Sequence, residues 1–142
     1  MPGEPLYCQR FDICGRDYVN AGKASMAIKG ILREIGIQPA LIRRVAIASY
    51  EAEMNVVLYA LKGAMELRVT PGDVHVTVED EGPGIPDIEL AMQEGYSTAS
   101  DEIREMGFGA GMGLSNIKKN ADTFAIHSVV GKGTVLDMTI RF

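Results

Sequence analysis

The feature that most constrains the fold is a long apolar helix predicted between Pro39 and Leu61. Beyond Arg44 its sequence, VAIASYEAEMNVVLYA, is apolar nearly all round the helix, whereas a surface helix is apolar along one stripe. Such a helix has to be covered on most sides, so we expect it inside a sandwich of helices and a sheet. Pro39 suits its first turn, where a backbone N–H would be unpaired anyway.

The remaining elements are predicted from apolar periodicity and turn residues. Asp17 is expected to cap a first helix that ends at Gly36. Apolar alternation and turns predict five strands, a short helical stretch and a later helix. These are the strands 6–13, 64–69, 74–79, 123–130 and 134–142, the stretch 87–93 and the helix 112–122. The strands follow one another as hairpins without a repeated βαβ unit, so the expected class is α+β, a two-layer α/β sandwich with a mixed, mostly antiparallel sheet.

Composition sets the broad class. The chain has 142 residues, 46% of them apolar and 23% charged, which predicts one globular domain over residues 1–142. A net charge of −5 without a basic run argues against a nucleic-acid partner. Short apolar runs argue against a membrane span, and we expect a cytoplasmic protein. Cys8 and Cys14 are too few for a disulfide framework, so buried or half-buried thiols are expected.

The segment GFGAGMGLSN, residues 107–116, places four glycines on alternate positions before a predicted helix. It matches neither the phosphate-binding loop G-x-x-x-x-G-K-[ST] nor the dinucleotide fingerprint G-x-G-x-x-G. Two interpretations remain. Glycines allow close backbone approach, and the N–H groups of a helix that begins near Met112 suit a phosphate. The alternative is a flexible hinge.

A carboxylate and an amide share one face of the long apolar helix. Glu51 and Asn55 are four residues apart, and their neighbours on the helix are apolar. Leaving such groups buried and unpaired costs about 1–3 kcal/mol, so they either line a cavity or form an internal hydrogen-bonded pair. Glu53 points away from Glu51, and we expect only a surface or interface charge there.

The segment VEDEGPGI, residues 78–85, follows a predicted strand. Asp, Pro and Gly together are typical of a turn. Asp80 also offers an acceptor-only carboxylate that suits the exocyclic amine of a purine, with the side-chain-free backbone of Gly82 and Gly84 beside it. Both interpretations stay open from this segment alone.

Together the three segments match one pattern in order and spacing. E-x-x-x-N on a helix is followed by D-x-G-x-G after a strand and by G-x-G-x-G-L opening a helix. This resembles the GHKL ATP-binding superfamily of gyrases, heat-shock chaperones, histidine kinases and mismatch-repair ATPases, over nearly the whole chain. The resemblance implies the Bergerat fold, with helices on one face of the sheet, and the cofactors ATP and Mg²⁺.

The resemblance also implies roles for individual residues. Asn55 is similar to the Asn that binds Mg²⁺, and Glu51 to the residue that activates a nucleophile. Asp80 resembles the Asp that reads adenine. The remaining predicted nucleotide contacts are the base-pocket residues Gly82, Gly84, Ile85 and Thr134, the triphosphate-loop residues Gly109, Gly111, Met112 and Gly113, and Leu114, which anchors the helix after that loop.

Within the superfamily, the chain most resembles the stand-alone anti-sigma-factor serine kinases, especially the stressosome switch kinase type. A gyrase-like transducer domain does not fit in 142 residues. A histidine kinase needs a phosphoacceptor histidine on a helix, whereas both histidines of this chain, His75 and His127, lie on predicted strands. The implied activity is phosphorylation of a serine or threonine on a small antagonist-like protein. Tyr59 stands where many anti-sigma kinases have a His. The resemblance therefore implies nucleotide chemistry more strongly than it implies direct binding of a sigma factor.

Other partners and a second function stay open at this point. A sigma factor, a phosphatase and a second copy of the chain are the further partners that the resemblance leaves open. Residues 86–107 form a long, polar segment hinged by glycines, which predicts a lid over the triphosphate. Arg104 within it either reaches the γ-phosphate or is exposed to solvent, and we favour the second. The alternative function is a nucleotide-gated binding module that sequesters a sigma factor or another regulatory partner, for which Glu51 would not be needed.

Overall fold

The computed structural model describes residues 6–93 and 113–142, which form a five-stranded sheet with helices on one face. The strand order is β1-β2-β3-β5-β4. The elements in chain order are β1 (Tyr7–Cys14), α1 (Lys23–Ile35), α2 (Pro39–Tyr59), β2 (Lys62–Val69), β3 (Asp73–Glu81), α3 (Ile88–Ala91), α4 (Gly113–Asn120), β4 (Thr123–Val129) and β5 (Gly133–Arg141). The predicted α+β two-layer class is confirmed, and all four pairings between these strands are antiparallel rather than mixed.

The core lies between the sheet and α2. Alternate residues of β3 and β5 are buried because successive side chains of a strand point to opposite faces. Helix α2 packs between α1 and α4 and also contacts four of the strands. Val45, Ala48, Ala52 and Val56 on this helix are completely buried, so the prediction of a central, covered helix is confirmed.

The N-terminus of α1 differs from the prediction. The helix begins at Lys23, not near Asp17, whose carboxylate instead accepts hydrogen bonds from Asn20. Its first turn is capped by Glu53 of α2, which accepts from the backbone N–H groups of Gly22, Ala24 and Ser25 at 3.0, 3.2 and 2.9 Å. A carboxylate at this end suits the positive pole of the helix dipole.

Glu53 is therefore not the surface or interface charge that the sequence predicts. Only 2% of the residue is exposed, and its charge is satisfied by three backbone donors of another helix. The opposite end of α1 follows the prediction, because Gly36 adopts the left-handed conformation and donates to Leu32 and Arg33.

The other face of the sheet is charged and is not covered by any helix of the described residues. Arg10 pairs there with Glu79 across 3.0 Å, and Lys62 with Glu81 across 3.4 Å. Cys8 and Cys14 lie on the same face of β1 and are exposed, so the expectation of buried or half-buried thiols is wrong. In residues 6–93 and 113–142 no helix combines the length and apolarity that a membrane span needs.

Candidate nucleotide site

Polar side chains gather where the core-facing rows of the sheet end. Asp80 continues the buried row of β3, and Thr134 and Ser128 occupy the corresponding positions on β5 and β4. On β2 the matching position is Gly63, which pairs with Asp80 and has the Val56 side chain of α2 directly above it. The end of the sheet under α2 is therefore lined by acceptors and hydroxyls instead of aliphatic groups.

Asp80 is held by the backbone of the neighbouring strand. Its Oδ1 accepts a hydrogen bond from the Thr134 N–H at 3.2 Å. Burial raises the pKa of Asp80 above the ordinary value of 3.8, and the Thr134 N–H partly offsets that rise because it stabilises the charged form. A half-buried carboxylate with one oxygen fixed in this way suits an amine donor on a flat ligand.

The segment after Asp80 is tied to the β4–β5 hairpin. Gly84 has a φ of +77°, and a Cβ there would lie 2.6 Å from the Val129 carbonyl oxygen, so only glycine fits. The next residue, Ile85, donates its N–H to Ser128 Oγ at 2.8 Å. Gly82 lies beside the carboxylate, since a Cβ on it would be 3.1 Å from Asp80 Oδ1. Four predicted base-pocket residues, Gly82, Gly84, Ile85 and Thr134, thus surround Asp80 and Ser128.

The second part of the site is the junction between α2 and α4. Glu51 and Asn55 are both half-buried and face the first residue of α4. A Cβ placed on Gly113 would lie 3.3 Å from Glu51 Oε2 and 3.5 Å from Asn55 Oδ1. Glu51 Oε1 accepts from Asn116 Nδ2 at 3.4 Å, so its partner is on α4 and not the Asn55 amide that an internal pair would use.

Helix α4 is held at its other end by α2 as well. The Asn120 side chain donates to the Asn116 carbonyl oxygen at 2.8 Å, and Arg44 Nε donates to the Asn120 carbonyl oxygen at 3.0 Å. Leu114 is partly buried and packs against the core, and its anchoring role stays a prediction. Gly109, Gly111, Met112 and Arg104, and most of the predicted lid, lie outside the described residues.

The residues present fit a Mg²⁺-nucleotide. Asp80 offers an acceptor for a purine amine, the absence of a side chain at Gly113 keeps the N-terminus of α4 open, and Asn55 Oδ1 is an oxygen of the kind that Mg²⁺ accepts. A hollow of about 530 Å³ opens on the outer face of the sheet between charged residues that include Arg10, Glu79 and Lys132. Its lining also reaches Gly63, Asp80 and Thr134 of the candidate site. Asp80 continues the core-facing row of β3, and Glu51 and Asn55 lie on α2, so a nucleotide in contact with all three would lie on the helix side of the sheet.

Comparison with known protein families identifies the family of this chain. Residues 16–140 match the histidine kinase-like ATPase domain. The chain belongs to this family. The match covers α1 to β5 and confirms the GHKL resemblance drawn from the three motifs. An ATPase-domain fold also agrees with a nucleotide site at the end of the sheet.

Relatives of this ATPase-domain chain include a serine/threonine-protein kinase and anti-sigma F factors. The chain is 33% identical over 110 residues to the serine/threonine-protein kinase RsbT of Bacillus subtilis, which is 75% of this chain and 77% of that kinase. It is 36% identical over 94 residues to an anti-sigma F factor of Caldanaerobacter subterraneus, covering 63% of this chain and 62% of that protein. The chain is therefore homologous to a serine/threonine-protein kinase and to anti-sigma factors.

Two solved structures share the fold. The SiaB-SiaC complex from Pseudomonas aeruginosa contains a chain that matches with a TM-score of 0.64 at 14% identity, covering 96% of this chain and 90% of that one. The RsbU and RsbW domains of Rv1364c from Mycobacterium tuberculosis match with a TM-score of 0.60 at 17% identity, covering 94% of this chain and 32% of that one. At these identities the likeness concerns the fold.

Two residues of the site were not predicted. Ser128 lies in an ordinary alternating strand, and Asn116 lies in the helix after the glycines; neither is one of the residues that the three patterns specify. A usable signal existed only for Ser128, which is three residues before the G-x-G-T string and so is placed by the hairpin opposite Thr134. For Asn116, a spacing of three from Gly113 puts it on the same face of α4, but the approach of α2 had to be known first.

Proposed function

We propose that the chain is an ATP-dependent serine/threonine protein kinase of the anti-sigma regulatory, switch-kinase type, which phosphorylates a small antagonist-like partner. One observation carries the proposal: Glu51 and Asn55 of α2 face the N-terminus of α4 at Gly113, while Asp80 lies at the end of the sheet that α2 covers. A general base (Glu51), a metal ligand (Asn55) and a phosphate-binding helix N-terminus would thus lie on one side of a purine site.

The residues of the chain would divide the work as follows. Asp80 would hold the base through its free carboxylate oxygen, and the backbone N–H groups at the start of α4 would hold phosphate oxygens. Asn55 would supply an oxygen ligand to Mg²⁺. When bound, Mg²⁺-ATP supplies the phosphoryl group and the metal that offsets its negative charge. Glu51 would orient the serine or threonine hydroxyl and accept its proton at a carboxylate oxygen.

Homology supports both the activity and the class of partner. A relative that is 33% identical is a serine/threonine-protein kinase, and other relatives are anti-sigma factors. The fold neighbours occur in structures of a SiaB-SiaC complex and of linked RsbU and RsbW domains. These names favour a small regulatory protein as the phosphoacceptor, with a phosphatase, a sigma factor or a second copy of the chain as further candidates.

The test is phosphoryl transfer by the purified protein and its Glu51→Gln variant. Labelled ATP and Mg²⁺ are incubated with small candidate partners from the same source, and label on serine or threonine is measured. The amide keeps the size of Glu51 but cannot accept a proton, so we expect transfer to fall about 10²–10⁴-fold while ATP affinity stays within a few fold. Glu34→Gln, an exposed glutamate on α1, is the matched control and should transfer at the parental rate.

Two results would contradict the proposed kinase activity. One is a parent protein that binds ATP but labels no serine or threonine partner, and the other is a Glu51→Gln variant that is as fast as the parent. Either would make the nucleotide-gated binding module the better account. Asn55→Ala separates metal binding from proton transfer, because it should weaken Mg²⁺-dependent ATP binding itself.

A further inference from the structure

The Ser128 hydroxyl is the centre of three polar contacts at the predicted base pocket. Its Oγ lies 2.8 Å from the Ile85 backbone N, 2.9 Å from Thr134 Oγ1 and 3.2 Å from the Gly133 carbonyl oxygen. A serine hydroxyl has one hydrogen and two lone pairs. It can therefore satisfy all three contacts at once, but only if it donates in one and accepts in the other two.

Two of the contacts have a fixed direction. The Ile85 N–H can only donate, and the Gly133 carbonyl can only accept, so the single Ser128 hydrogen goes to Gly133. Thr134 must then donate its own hydrogen to Ser128. The reverse arrangement, with Ser128 donating to Thr134, would leave two oxygens facing each other at 3.2 Å without a hydrogen between them.

This arrangement determines what Thr134 can offer a ligand. With its hydrogen engaged, the Thr134 hydroxyl can accept a hydrogen bond but cannot donate one. Its backbone N–H is also engaged, because it donates to Asp80 Oδ1. Asp80 is an acceptor when ionised, so the two side chains together present acceptors only.

We propose that Ser128 is a specificity-determining residue that makes the base pocket select a 6-amino purine over a 6-oxo purine. This inference rests on the proposed nucleotide site. Ser128 acts through Thr134 and is a positioning residue, since its own hydrogen-bonding capacity is used within the protein. A 6-amino group has two hydrogens to donate at position 6, whereas a 6-oxo group meets an acceptor there with its own lone pairs. The N1 hydrogen of a 6-oxo purine can serve only one acceptor, so at least one of the two stays unpaired.

The experiment compares the affinities of the whole protein for ATP and inosine triphosphate, which carries an oxygen in place of the 6-amino group and a hydrogen on N1. Each variant is titrated with both nucleotides by calorimetry in the presence of Mg²⁺, and the ratio of the two affinities is the measurement. Because both titrations use one sample, a partly unfolded variant does not change the ratio. We expect the parent to favour ATP.

Ser128→Ala releases the Thr134 hydrogen, so the preference for ATP should fall about tenfold, the equivalent of one hydrogen bond. Ser128→Thr keeps the hydroxyl and should keep the parental ratio. Thr134→Val removes the acceptor without using the serine position, and it should also lower the ratio. Adding Ser128→Ala to Thr134→Val should change the ratio no further.

A parental ratio in Ser128→Ala, or an unchanged or higher ratio in Thr134→Val, would overturn the inference while leaving ATP binding and the proposed kinase intact. An unchanged ratio in Thr134→Val also decides the matter if Ser128→Ala does not fold. A parent that binds neither nucleotide would overturn the proposed function and this inference together.

Discussion

The two halves of the candidate site are built differently. At the end of the sheet, Asp80, Thr134 and Ser128 are joined to each other and to the backbone by hydrogen bonds of 2.8–3.2 Å. At the junction of α2 and α4, Glu51 has one partner among the described residues, Asn116, at 3.4 Å. Hydrogen bonds weaken at such a length. The sheet end is thus preorganised by its own hydrogen bonds, whereas the carboxylate at the helix junction is held loosely, which suits the proposed role of meeting a ligand and a hydroxyl.

Asp80→Asn should have the largest effect on ATP binding, because it changes the carboxylate at the preorganised sheet end of the site. The amide cannot replace an ionised acceptor, and loss of one charged hydrogen bond costs about 1.5–3 kcal/mol, or roughly 10–150-fold in ATP affinity. Calorimetric titration with Mg²⁺-ATP measures it. Asp12→Asn, on the outer face of β1, is the control and should bind like the parent. Equal affinities for the parent and Asp80→Asn would remove the base assignment.

Glu53→Gln should affect folding more than chemistry, in contrast to Glu51→Gln two residues earlier on the same helix. The buried carboxylate caps α1 through three backbone donors, and an amide has one acceptor oxygen and no charge. We expect the free energy of unfolding in urea to fall by about 1–3 kcal/mol. Glu34→Gln should leave it unchanged. If Glu53→Gln proved as stable as the parent, the cap would contribute nothing measurable.

Acidification should weaken ATP binding through Asp80. Burial raises the pKa of this carboxyl above 3.8, so it becomes protonated at a higher pH than an ordinary aspartate and then no longer accepts. The sign for folding is opposite. Since the pKa of Asp80 is higher in the folded state, its contribution to the free energy of unfolding is complete below the unfolded-state pKa. That contribution is lost as the pH rises through the folded-state pKa.

Titrations from about pH 7 down to about pH 5, the range next to the ordinary carboxyl values, would measure this effect. Asp80→Asn provides the reference, because its pH dependence reports only the phosphates and the other groups. We expect the parent to lose affinity more steeply than the variant. Parallel curves would mean that Asp80 does not titrate in this range.

Asn116→Ala should have the smallest effect, because its contact with Glu51 is long. We expect the kcat of phosphoryl transfer to fall about two- to fivefold, in line with a weak hydrogen bond, with unchanged ATP affinity. The same change in a Glu51→Gln background should have no effect on the residual rate. A loss of a hundredfold in the parent background would show that the junction is as preorganised as the sheet end, and the contrast between the two halves would disappear.

The sequence predicts the elements better than it predicts their contacts. Apolar periodicity places α2 and the strands, because each of those patterns is local. The start of α1 was wrong because the acceptor that caps it, Glu53, lies 28 to 31 residues away along the chain. Ser128 and Asn116 were missed for the same reason, since both act across elements. Glu51, Asn55 and Asp80 could be predicted as site residues because the resemblance already encodes such contacts, and their roles stay predictions.

The cap on α1 also has a consequence for how the helical layer assembles. Its acceptor belongs to α2, so the first turn of α1 is complete only when the two helices are docked. The amide hydrogens of Gly22, Ala24 and Ser25 are therefore protected from exchange with solvent only in the docked state. They act as natural reporters of docking between α1 and the helix that carries Glu51, and their exchange rates measure how often those two helices separate.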